Sequence, residues 1–145
     1  VPGTAKIRNV THSGNSLSHP GNIKVGVSTI DIEVKKRNAV PGFIKVSAEG
    51  YGLKVIKGAN ETISKYRPVI EVSAFHNMEE LYELPMYMKR YPNYLFEFQS
   101  RSAQYQSFGE LAFFAYPAEI LYPPGELGYL PPQEQYKLWS NTMPN

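Results

Sequence analysis

The pattern of apolar and polar positions changes sharply along Gly42-Phe43-Ile44-Lys45-Val46-Ser47-Ala48-Glu49-Gly50-Tyr51. A short apolar run over residues 43–46 gives way to small and polar residues, and an amphipathic segment follows. This is the pattern of a buried strand running into a helix, with polar residues at the strand's carboxyl end. In open α/β sheets that end is where ligands bind.

The other elements are laid out around this junction. Residues 1–22 are polar and rich in turn formers, including the tract 11–22, and are expected as loop. Residues 23–30 alternate and carry Val25, Val27, Thr29 and Ile30, which predicts a strand. Asp31 is expected to cap a short helix through Glu33, Val34, Lys35 and Lys36, and residues 38–42 form a turn. Downstream, Leu53, Val55, Ile56, Ala59 and Ile63 fall at helical spacings. Gly58 costs about 1 kcal/mol relative to Ala in that helix, which predicts a kink or break, and Pro68 stops it. Residues 69–74 read as a second strand. Asn77 is the expected N-cap of a helix with Glu79 and Glu80 in its first turn, where the dipole favours them. That helix carries Met78, Leu81, Tyr82 and Leu84, is expected to kink or restart at Pro85, and ends near residues 91–93. Residues 94–98 and 110–116 are strands joined by a polar loop too short for a helix, which predicts antiparallel pairing. The fold class is therefore α/β, with parallel strands and an antiparallel carboxyl-terminal edge pair. Residues 119–145 form a Pro-rich tail with room for a short helix near residues 133–139.

Composition narrows the function classes. The chain has 145 residues, enough for one domain with a real core. Its formal charge of +2 is small and its Lys and Arg are scattered, so nucleic acid is not an expected partner. No apolar run is long enough to span a membrane and no signal peptide opens the chain, so no membrane partner is expected and a cytoplasmic location is the default. The absence of Cys excludes disulfides, thiolate metal sites and thiol nucleophiles. His12 and His19 have no metal-site spacing, and no metal is expected.

Several stretches resemble one family. Thr29-Ile30-Asp31, the junction from Phe43 to Gly50, Leu53-Lys54-Val55-Ile56-Lys57-Gly58-Ala59 and Arg67-Pro68-Val69-Ile70 resemble the carboxyl half of the FkbM-type methyltransferases. Ala74-Phe75-His76-Asn77 and Glu110-Leu111-Ala112-Phe113-Phe114 extend the resemblance, which spans about residues 13–118. It implies a Rossmann-like sheet, S-adenosylmethionine as cofactor, and O-methylation of a sugar or other small-molecule hydroxyl. Ser47 and Ala48 fall at positions where it implies cofactor contact. Three departures accompany it. Ser47 stands where the family pattern has Asp, Gly52 stands where it has a second Glu, and the glycine-rich D-x-G-A-N loop of the amino-terminal half does not occur. With Val1-Pro2-Gly3 at its start, the chain is expected to be the second half of such a domain, residues 23–118, with residues 1–22 a loop or a remnant of what precedes it.

The candidate chemistry follows from position. Glu49 at a strand end suits a base for an acceptor hydroxyl, or equally a cap on the next helix. His76, after the second strand, suits general-base work or a backbone-bonded loop residue. Ser47 can hydrogen-bond a ligand but cannot replace a carboxylate base. Asp31 reads better as a helix cap than as a site residue. Tyr87, Tyr91, Tyr94 and Tyr105 could form an aromatic surface for a carbohydrate, whereas Phe96, Phe98, Phe113 and Phe114 read as packing. Three functions remain open: a methyltransferase, an inactive methyltransferase-like module that binds without turnover, and a carbohydrate-binding α/β module that rests only on the tyrosines. An uncovered sheet edge and an apolar surface, left by a missing amino-terminal half, predict a homodimer or poor solubility.

Overall fold

The structure, a computed structural model, describes residues 3–7, 23–100 and 111–121. Two strands, β1 (Gly3–Ile7) and β2 (Ile23–Val27), pair antiparallel from Gly3 opposite Val27 to Ile7 opposite Ile23. Residues 3–7 are thus a strand and not the loop expected for residues 1–22. The strand expected over residues 23–30 is shorter and stays out of the main sheet. Its β-branched end is recruited otherwise: Thr29 is the N-cap of α1 (Ile30–Arg37), its hydroxyl accepting from the Ile32 N–H at 3.3 Å. A capping hydroxyl satisfies an orphan helix donor, a return larger than Thr's mild strand preference.

Asp31 does cap a helix, but a different one from that expected. Its carboxylate accepts from the Glu61 N–H at 3.1 Å and the Thr62 N–H at 2.8 Å, at the start of α3 (Asn60–Tyr66). The amphipathic segment breaks at Gly58 as its composition predicts, giving α2 (Gly52–Lys57) and then α3. Residues β3 (Phe43–Val46) and β4 (Val69–Ser73) run parallel, with Phe43 opposite Val69 and Val46 opposite Val72. Asn77 caps α4 (Met78–Met88), its side chain accepting from the Glu80 N–H at 2.9 Å. Helix α4 runs through Pro85 as one element.

The strands β5 (Tyr94–Ser100) and β6 (Leu111–Pro117) pair antiparallel, and the short α5 (Ala118–Leu121) follows. The sheet order is β3-β4-β6-β5, so β6 lies antiparallel between β4 and β5. The expected parallel strands with an antiparallel edge pair are therefore present. One sheet face carries Ile44, Val46, Ile70, Val72, Phe113 and Ala115, clustered with Leu53, Ile56, Ile63, Leu84 and Met88 from the helices. Each fully buried aliphatic or aromatic side chain contributes about 2 kcal/mol by leaving water.

Two of the four tyrosines considered above for a surface are in the core instead. Tyr91 and Tyr94 are buried, with hydroxyls donating to Asn60 Oδ1 at 2.9 Å and the Pro68 carbonyl at 2.8 Å. Burial raises both phenol pKa values. Tyr105 and residues 133–139 lie outside the described residues. Among the phenylalanines Phe113 is fully buried, whereas Phe98 is exposed near the end of β5. No helix among the described residues is long and apolar enough to cross a membrane.

Candidate functional site

Strands β3 and β4 stop side by side, and their two following loops meet over the carboxyl edge of the sheet. Ser47, just past β3, and Ser73, the last residue of β4, hold their hydroxyls 3.3 Å apart. The chain then turns tightly: Glu49 adopts φ 47° and Gly50 φ 88°. A left-handed Glu is strained by about 1 kcal/mol or more. Gly50 is required twice over, since its φ disfavours any side chain and a Cβ there would lie 2.9 Å from Asn77 Nδ2. Asn77 Nδ2 in turn donates to the Gly50 carbonyl at 3.0 Å. One Asn thus caps α4 and ties the two loops together.

The turn brings together the two residues that sequence position marks for chemistry. Glu49 Oε2 lies 3.1 Å from His76 Nε2, with the carboxylate half-exposed and the imidazole largely covered. Phe75 stacks on the His76 ring at 4.1 Å between centroids. A carboxylate held against an imidazole, open to solvent on the carboxylate side, can accept a proton from an approaching hydroxyl. Ser47 joins this edge through Ser73. Ala48 is half-buried, packs against the core and accepts from the Tyr51 N–H at 2.9 Å. Asp31 lies with α1 and α3 and takes no part.

Glu80 is the residue that sequence reading missed. Its place in the first turn of α4 reads as a solvated dipole partner, yet it is 1% exposed and its Oε1 accepts from the Gly52 N–H at 2.7 Å. Burial raises its pKa above the ordinary carboxylate value, opposed by the Gly52 N–H and by His76. The available signal was its spacing, three residues after an N-cap Asn, which marks a side chain that turns back toward backbone donors. Gly52 gains a reason too. A Cβ there would lie 2.5 Å from Val72 Cγ1 and 2.6 Å from Glu80 Oε1. The second Glu of the family pattern would therefore collide with Glu80.

Two grooves lie elsewhere on the surface. A groove of about 260 Å³ runs along α1 beside Glu33 and Arg37, and one of about 350 Å³ lies between α2 and α4 beside Leu53, Tyr82 and Met86. Neither contains the Glu49–His76 pair, and neither gathers groups suited to catalysis. Among the described residues no cluster of His, Asp or Glu could hold a metal ion.

Comparison with known proteins agrees with the arrangement of strands and loops. The chain is similar to a crystal structure of Methyltransferase FkbM from Methylobacillus flagellatus KT, at 26% identity and a TM-score of 0.56. The match covers 64% of this chain and 24% of that one, so the chain spans about a quarter of that protein's length. No curated protein matches the chain. The model of the Methyltransferase FkbM domain matches residues 4–106, more than half of the sequence, and the chain belongs to that family.

Proposed function

We propose that the carboxyl edge of the sheet beyond β3 and β4 is the acceptor side of an S-adenosylmethionine-dependent methyltransferase site. Its Glu49–His76 pair takes the proton of a hydroxyl on a sugar or other small-molecule acceptor. The observation that carries this reading is the 3.1 Å approach of Glu49 to His76, the two loops being held together by Asn77. Family membership supports the cofactor class. The cofactor supplies an electrophilic methyl group on a positively charged sulfonium. A half-exposed carboxylate beside paired serine hydroxyls fits such a charge, and Ser47, the Ala48 backbone and Ser73 would hold that side of the cofactor. Positioning an acceptor oxygen at this edge contributes by proximity, and accepting its proton contributes a further 10²–10⁴-fold, in round terms about 3–5 kcal/mol.

A second reading is a methyltransferase-like module that binds without turnover, and two observations favour it. Ser47 spends its hydroxyl on Ser73 and cannot act as a carboxylate base. Gly52 has no room for the family's second Glu. Under either reading, the edge of β3 and its exposed Phe43 suit pairing with a second copy, which light scattering would report as a dimer.

The test is calorimetric titration of the chain with S-adenosylhomocysteine. Saturable micromolar binding is the expected result. Folded protein that gives no binding at millimolar ligand would overturn the methyltransferase reading for this chain.

A further inference from the structure

Two buried polar atoms beside the Glu49–His76 pair lack hydrogen-bond partners, His76 Nδ1 and Glu80 Oε2. They belong to residues four apart, at the loop and first turn that open α4. Unpartnered buried polar atoms are rare in folded proteins and call for an explanation such as a bound water. The groups around them are few. The β4–α4 loop contributes His76, α4 contributes Glu79 and Glu80, the β3–α2 loop contributes Glu49, and α2 offers only the Gly52 N–H.

We propose that Glu80 is a positioning residue: its Oε2 and His76 Nδ1 share one buried water, which donates to both. The inference rests on the reading of Glu49 as the group that takes the acceptor's proton. A neutral imidazole carries one proton, so a ring whose Nδ1 accepts must carry it on Nε2. That N–H faces Glu49 Oε2. Donation from Nε2 orients Glu49, leaving its other oxygen for the acceptor hydroxyl. The water has Oε2 and Nδ1 as partners, with the His76 peptide N–H beside the same carboxyl group. Burial supplies the reason for the water, since a carboxyl group 1% exposed with one oxygen unpartnered is otherwise poorly solvated. Gly52 supplies the space, because any Cβ at that position would displace Oε1. Residues 52 and 80 thus act as one unit, with a buried acid reaching in from α4 where the family pattern places a Glu on α2.

The test reads the tautomer directly, by long-range proton–nitrogen NMR of the His76 ring in the nitrogen-labelled full chain near neutral pH. The wild type is expected to hold the proton on Nε2 alone. Glu80→Gln is expected to preserve that state, because its amide still accepts from the Gly52 N–H and still reaches the same water. Glu80→Leu is expected to lose the single tautomer. A wild type with the proton on Nδ1, a wild-type imidazolium, a switch in Glu80→Gln, or an unchanged tautomer in folded Glu80→Leu would each overturn the proposal. Should Glu80→Leu fail to fold, the wild type and Glu80→Gln decide alone. The spectra need no cofactor, so their failure is separate from failure of the S-adenosylhomocysteine titration.

Discussion

At the end of the sheet where β4 and β5 begin, polar groups are densely partnered; at the end where β3 and β4 stop, several are left open. Arg67 shows the first condition. Its guanidinium forms a two-pronged pair with Glu119, donates to the Pro92 and Asn93 carbonyls at 2.9 and 3.0 Å, and lies over the Tyr94 ring. Tyr94 in turn donates to the Pro68 carbonyl. Among the described residues one loose group remains there, Asn93 Oδ1. The end beyond β3 and β4 shows the second condition, with a left-handed Glu49, a buried acid lacking a partner on Oε2 and a ring nitrogen lacking one on Nδ1. The first end ties α3, β5 and α5 into one body. The second holds chemically able groups in costly states, which is where function is ordinarily found.

Arg67→Ala should have the largest effect on stability, a loss of about 3 kcal/mol after allowing for the pair's partial exposure. Denaturant unfolding measures it. S-adenosylhomocysteine affinity should not change, and a parallel loss of affinity would show that the two ends are not independent. Gly52→Ala should cost about 2 kcal/mol, the usual penalty for forcing a methyl into a packed site. Unlike Arg67→Ala, it should also disturb the His76 ring spectrum, since its Cβ meets Glu80 Oε1.

The smallest effect is on pH dependence, where the two ends should act in opposite directions. The hydrogen bond from Arg67 lowers the Glu119 pKa below 4.5, so its contribution is present above 4.5 and lost as pH falls through the folded value. Burial raises the Glu80 pKa above 4.5, so the folded state is favoured below 4.5 and loses that advantage as pH rises toward the folded value. Stability followed against pH should therefore lose its lower slope in Glu119→Gln and its upper slope in Glu80→Gln. If Glu80→Gln left the upper slope intact, Glu80 would not be the buried acid described here.

Much of this was legible in the chain. The helix break at Gly58, the Asn77 cap, the parallel pair β3–β4 and the antiparallel pair β5–β6 all follow from local spacing, turn residues and connection length. Glu49 and His76 were legible as candidates because both follow strand ends. Their contact was not, because residues 27 positions apart meet only when two parallel strands stop in register. Thr29 and Asp31 mark where local reading failed. A hydroxyl and a carboxylate two positions apart can cap either of two helices, and only packing decides which.

The sequence by itself determined the alternation of strands and helices, the strand ends that carry polar residues, and the family. The tertiary structure decided which polar groups lost water. Glu80 has the sequence of a solvated first-turn residue, and it becomes a buried acid because α4 packs its first turn against Gly52 and Val72. Desolvation depends on what arrives from elsewhere in the chain, so the state of Glu80, and through it that of His76, is a property of the fold and not of the local pattern.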